Sequence, residues 1–186
     1  LFGAIAADVN YIGTDPCTKT FEGLEQIKED WGSKNKTIEL HKVGSEDFWP
    51  PYCEVDLCFT SPPYFGREQY SQDKEQSFIK FPNYRAWLNG FMKPLIKNSW
   101  DYLKPKGHLI LNVADIKMGG ENNFIPLEQD TLGLAIKQGF RYLGRYDMVM
   151  SRMIGVNTDG VKNNWFDMNT KKTYKTEPIM IWVKDK

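Results

Sequence analysis

The stretch that most constrains this chain is the run Val55-Asp56-Leu57-Cys58-Phe59-Thr60, which breaks directly into Ser61-Pro62-Pro63-Tyr64. A continuous, mostly apolar run of this length reads as a central parallel strand covered on both faces. Two successive prolines end it. Neither has an N–H to give to a ladder, and each restricts the backbone of the residue before it. In open parallel sheets, ligands bind at the carboxyl ends of the strands, which is where this tetrapeptide falls.

Strand-like and helix-like segments alternate along the chain, the pattern of an α/β fold. Residues 9–14 read as a short buried strand punctuated by Asp15-Pro16, and Thr18 or Thr20 as the cap of a helix running to residue 30. Residues 37–43 and 108–113 read as further strands, the latter entered through the turn Lys104-Pro105-Lys106-Gly107. Tyr84, Trp87, Leu88, Phe91, Met92, Leu95 and Ile96 recur at helical spacing and predict a helix over residues 83–103, kinked at Pro94. Residues 126–138 predict a helix stopped by Gly139, and residues 142–150 and 178–183 a closing antiparallel pair. Residues 65–82 read as a long polar loop of the kind that serves as a lid.

The bulk numbers narrow the class. A chain of 186 residues, 41% hydrophobic and 14% aromatic, supports a single globular domain over residues 1–186. Lys and Arg total 24 and balance 24 Asp and Glu, so a nucleic-acid partner would have to be met by a basic face rather than by net charge. Cys17, Cys53 and Cys58 form no CxxC pair, and His41 and His108 lie far apart. That argues against a disulfide scaffold and against a metal site, and fits a reducing cytoplasm. No stretch approaches the roughly 20 apolar residues of a membrane span. The chain opens at Leu1 inside a helix-like segment, and reads as the carboxy-terminal portion of something longer.

Ser61 offers a side-chain oxygen acceptor. Pro62 offers a stiffly held carbonyl, and Tyr64 an aromatic face on which an extruded base can stack. Such parts suit an exocyclic amino group, whose lone pair is delocalised into its ring. Two fixed acceptors taking both amino protons favour a pyramidal nitrogen and aim its lone pair. Outside this context a Pro-Pro-Tyr would simply end a strand and pack its ring.

Ser61-Pro62-Pro63-Tyr64 after an apolar strand resembles the catalytic motif of S-adenosylmethionine-dependent amino-methyltransferases that act on DNA at cytosine N4 or adenine N6. Tyr11-Ile12-Gly13-Thr14-Asp15 is similar to the family's second strand, whose terminal acid, here Asp15, would bind the cofactor's ribose hydroxyls. Ser45-Glu46-Asp47-Phe48 falls where the family carries an acidic residue and an apolar neighbour near the adenine ring. The turn into residues 108–113, and Glu177-Pro178-Ile179-Met180-Ile181-Trp182, resemble its fifth and last strands. The resemblance implies a Rossmann-like methyltransferase fold: a mostly parallel sheet with helices on both faces and a C-terminal antiparallel hairpin. The family's glycine-rich loop has no counterpart here, and its first strand would be missing with it. Ser61 in the first motif position leans toward cytosine N4, where Asp would lean toward adenine N6.

For a double-stranded DNA partner with its target base flipped, Arg67 and Lys80 after the motif are candidate phosphate contacts, beside Lys74. Residues 151–176 carry Arg152, Lys162, Lys171, Lys172 and Lys175 interleaved with Trp165, Phe166 and Tyr174, a mixture suited to target recognition. Pro16-Cys17 is similar to the nucleophilic dipeptide of cytosine C5 enzymes, but it follows the ribose-binding strand and the base pocket is already supplied. An RNA amino-methyltransferase, or a non-catalytic remnant of a phage or mobile element, are the alternative readings.

Overall fold

The computed structural model describes residues 1–49, 54–66, 72–117, 124–150, 164–169 and 172–186. In chain order they form α1 (Phe2–Ala6), β1 (Tyr11–Thr14), α2 (Thr18–Trp31), β2 (Ile38–His41), β3 (Val55–Thr60), α3 (Ser77–Lys80), α4 (Tyr84–Trp87), a π-helical turn (Leu88–Met92), α5 (Lys93–Tyr102), β4 (Leu103–Asn112), β5 (Ile116–Lys117), β6 (Phe124–Ile125), α6 (Leu127–Gln138), β7 (Arg141–Val149), β8 (Asn164–Asp167) and β9 (Lys172–Val183). Two compact units divide the chain, Leu1–Pro51 with Phe65–Asn98 and Tyr52–Tyr64 with Ser99–Lys186. Among the described residues no helix is long and apolar enough to cross a membrane.

In the first unit β1 and β2 pair in parallel, with Tyr11 opposite Ile38 and Thr14 opposite His41. The strand starts later than residue 9 because the Val9 N–H still donates to the Ala4 carbonyl, and Asp8 turns at φ 50°. Neither Thr18 nor Thr20 caps α2. Instead Asp15 Oδ1 accepts the Cys17 N–H at 2.8 Å, and Asp73 Oδ2 accepts the Thr18 N–H at 3.1 Å. Two carboxylates thus satisfy amides at the positive end of the helix.

The helix expected over residues 83–103 is present in three pieces, with Asn83 accepting the Ala86 N–H as its cap. Pro94 has no N–H for the Gly90 carbonyl four residues back. Gly90 lies in the π-helical turn, which takes up the mismatch that was expected as a kink. In that turn a Cβ on residue 90 would clash with the Phe81 ring. The core of this unit is Trp87, Phe91, Met92, Leu95 and Ile96. The Trp87 ring lies 5.2 Å from that of Phe91 and donates its Nε1–H to Ser77 Oγ at 3.3 Å. Part of the expected 65–82 loop is helical, as α3.

In the second unit β3, β4, β9 and β7 form one sheet, with β8 pairing β9. β3 and β4 run parallel; β4–β9 and β9–β7 are antiparallel, the last being the closing pair expected from sequence. The Lys104–Gly107 turn is absorbed into β4 as a bulge. The register jumps from Val55 opposite Leu103 to Leu57 opposite His108, and Lys106 takes φ 71°. Strand alternation puts Leu109, Leu111, Met180 and Trp182 on one face, where all four are buried. Trp100 of α5 meets Phe140 edge-on at 4.9 Å. Gly139, at φ 119°, ends α6, as expected.

β3 departs from expectation in one respect. It is the terminal strand of its sheet among the described residues, and Leu57 and Phe59 on its other face are 53% and 63% exposed. The run forms a strand, but not one covered on both faces by described residues.

Candidate active site

The β3–β4 register places Thr60 opposite Leu111, so the next residues, Ser61 and Asn112, emerge side by side. Ser61 is exposed, and its hydroxyl donates to Asn112 Oδ1 at 3.3 Å. Asn112 is buried and donates its Nδ2–H to the Pro178 carbonyl of β9 at 2.9 Å, and the same carbonyl accepts the Val113 N–H at 3.2 Å. Pro62 is fully buried, while Pro63 and Tyr64 are half-buried, with the Tyr64 hydroxyl oxygen out of solvent. The proline pair is therefore a wedge in the protein that leaves the Ser61 hydroxyl at the surface. Just behind it, Cys58 on β3 is half-buried beside Ser99, and the loss of solvent pushes its thiol up to about 11.

The residues expected on the cofactor side lie in the first unit. Asp15 is half-buried at the end of β1, with Oδ1 engaged by the Cys17 amide. Burial raises its pKa, and that amide hydrogen bond opposes the rise. Glu46 is buried and Asp47 exposed, and Lys80 of α3 binds both, Glu46 Oε1 at 2.8 Å and Asp47 at close range, with Glu75 at 3.6 Å. These bonds hold the Lys80 ammonium above its ordinary pKa although burial works against them. Glu46 Oε2 is buried with no hydrogen-bond partner among the described residues. Asn98 holds the loop from beneath, its Nδ2 lying 3.2, 2.9 and 3.4 Å from the carbonyls of Ser45, Glu46 and Phe48. The Phe48 ring packs on His41 at 4.7 Å.

Sequence reasoning named Glu46, Asp47 and Lys80 but gave them separate tasks, with Lys80 on DNA. The fold brings the three into one ionic cluster. Asn98 and Asn112 were not singled out. Asn98 falls on a helix expected from its apolar spacing, and Asn112 inside an apolar strand; a buried amide in such a strand was the one signal available. Arg67, Arg152 and Lys171 lie outside the described residues, and Lys172 opens β9 opposite Asp167.

The mixed α/β architecture around a central sheet is that of the Rossmann-like methyltransferases. Residues 55–186 match the N6/N4 DNA methylase family, and the chain belongs to that family. Solved structures with similar folds include TTHA0409 of Thermus thermophilus, a proposed DNA modification methylase complexed with S-adenosyl-L-methionine. It is 20% identical, at TM-score 0.51 over 77% of this chain and 54% of that one. A SAM-dependent methyltransferase from Methanosarcina mazei is 11% identical, at TM-score 0.54 over 98% of this chain and 85% of that one. The N-methyltransferase NodS of Bradyrhizobium japonicum, complexed with S-adenosyl-L-homocysteine, is 10% identical, at TM-score 0.53 over 95% and 67%. The chain spans about half the length of the Thermus protein. No curated protein matches it in sequence.

Proposed function

We propose that this chain carries the catalytic part of an S-adenosylmethionine-dependent enzyme that methylates an exocyclic amino group of a base in DNA, with the base flipped out of the duplex. The observation that carries this reading is the exposed Ser61 hydroxyl at the end of β3, oriented by a buried Asn112 within the family-matched residues. The bound cofactor in the Thermus structure and the bound product in NodS support the choice of methyl donor.

The residues present fit that donor. Asp15 Oδ1 is taken by the helix start, and no bond to Oδ2 is present among the described residues, which leaves it for a ribose hydroxyl. Glu46 Oε2 is a buried acceptor short of a donor, which a hydroxyl or an amino group would satisfy. Lys80 then keeps Glu46 and Asp47 in place, rather than meeting a phosphate. When bound, the cofactor supplies an electrophilic sulfonium methyl. Ser61 Oγ and the Pro62 carbonyl accept hydrogen bonds from the two amino N–H groups, and the Tyr64 ring stacks on the base. That methyl would pass to the amino nitrogen with cleavage of its C–S bond, leaving a neutral thioether, and the nitrogen would lose one proton to water. The segment at residues 151–176, including β8 and the start of β9, recognises the target sequence, with Arg152, Lys171, Lys172 and Arg67 on the backbone phosphates.

The test is transfer of labelled methyl to duplex DNA, with structured RNA as competitor. Ser61→Ala and Tyr64→Ala should each lower transfer on the order of 100-fold, with less than about 1 kcal/mol of stability lost for Ser61→Ala and about 1–3 kcal/mol for the half-buried Tyr64. Equal losses of activity and stability would make the motif a packing element. Preference for RNA would move the substrate class.

A further inference from the structure

We infer that Asn112 is a positioning residue that makes Ser61 an acceptor only, an inference that rests on the reading of Ser61 as the amino-group acceptor. A serine hydroxyl carries one hydrogen and two lone pairs, and in water it rotates freely among donors and acceptors. That freedom is harmful here. A hydroxyl whose hydrogen swings toward the substrate's amino group meets amino hydrogens and repels them.

The surroundings of Asn112 remove the ambiguity. The two ends of an asparagine amide are told apart by what they touch. One end lies 2.9 Å from the Pro178 carbonyl, which can only accept, so this end is the NH2 group. The other end, 3.3 Å from Ser61 Oγ, is therefore the carbonyl oxygen, which cannot donate. Hence Ser61 donates its only hydrogen inward to Asn112, and both of its lone pairs remain for the substrate. The frame is rigid at its root. Pro178 is fully buried in β9 opposite Asp147, and its carbonyl also takes the Val113 amide. A distance of 3.3 Å is long for an O–H···O bond, so the contact orients the hydroxyl more than it holds it. None of the three groups titrates, so the orientation persists across the working pH range.

The experiment is a double-mutant cycle for methyl transfer to duplex DNA, in the protein that carries this chain, with kcat and the KM for S-adenosylmethionine measured separately. Asn112→Ala should lower kcat by about tenfold, the scale of one hydrogen bond, and leave that KM unchanged. The pair Ser61→Ala with Asn112→Ala should fall no further than Ser61→Ala alone, because Asn112 acts only through Ser61. Asn112→Asp guards against a variant that fails to fold. Protonated, that carboxyl reproduces the amide, donating to Pro178 and accepting from Ser61. Ionised, it faces the Pro178 carbonyl with a negative charge. Its activity should therefore recover as pH falls, with no matching limb in the parent. Additive losses in the cycle, or an Asn112→Asp profile parallel to the parent's, overturn the inference and leave the Ser61 reading standing. A Ser61→Ala variant of full activity overturns both.

Discussion

The two units organise their polar residues in opposite ways. In the first, the centre is ionic: Lys80 among Glu46, Asp47 and Glu75, with one carboxylate oxygen of Glu46 left buried and unpartnered among the described residues. In the second, the centre is neutral: a hydroxyl, an amide and a peptide carbonyl in series. Its ion pairs lie away from that centre: Arg141 meets both oxygens of Asp185 on the surface, and Arg145 lies between Glu128 and Asp147. Under the proposed function the difference matches two tasks. Binding a ligand rich in hydroxyl and amino donors calls for charged acceptors, whose hydrogen bonds are about twice as strong as neutral ones. Aiming an uncharged amino group calls for acceptors fixed in direction, which neutral groups locked by strand register supply.

The comparison can be tested from its largest expected effect downward. Trp87 and Trp182 are the fully buried indoles of the first and second units. Trp87→Ala and Trp182→Ala should each cost about 3–5 kcal/mol by chemical denaturation, which shows that both units rest on comparable apolar cores. Lys80→Met should cost about 2–3 kcal/mol, because it strands the Glu46 carboxylate in the interior. A cost no larger than that of an exposed ion pair, below about 1 kcal/mol, would end the claim that the first unit is built on an ionic centre.

Asp15→Asn should weaken S-adenosylmethionine binding by about tenfold by calorimetry, the scale of one charged hydrogen bond. Burial raises the Asp15 pKa, so folding favours its protonated form. Its contribution to stability therefore falls as pH rises through the folded pKa, while cofactor affinity rises over the same window. Affinity should begin to fall with acid at a higher pH than an ordinary aspartate would give, and Asp15→Asn should flatten that dependence. The smallest effect is expected at the surface. Arg141 holds the Asp185 carboxyl below its ordinary pKa, so the pair's stabilisation is present above the unfolded pKa and lost as pH falls through the folded one. Asp185→Asn should lower the thermal midpoint slightly at neutral pH, and the two proteins should converge in acid.

Much of the chain's local order was legible from residue order alone. Apolar runs and helical spacing marked β3, the closing β7–β9 pair, α6 and its Gly139 stop, because backbone geometry imposes those periods on any sequence that buries one side. The proline pair announced an abrupt strand end with an oxygen and a ring beyond it, since that follows from the missing N–H. What residue order left open was partnership. An apolar strand records that it can be buried but not by what, and Leu57 and Phe59 remain more than half exposed. Residue order offers Lys80 as a phosphate contact; the fold sets it between Glu46 and Asp47, residues more than thirty positions away in the chain. Asn112, which residue order does not single out, is set beside Ser61 and Pro178 by the register. Local periodicity is a property of neighbouring residues; the donor that meets a given acceptor is chosen by strand register and helix packing, which only the assembled chain defines.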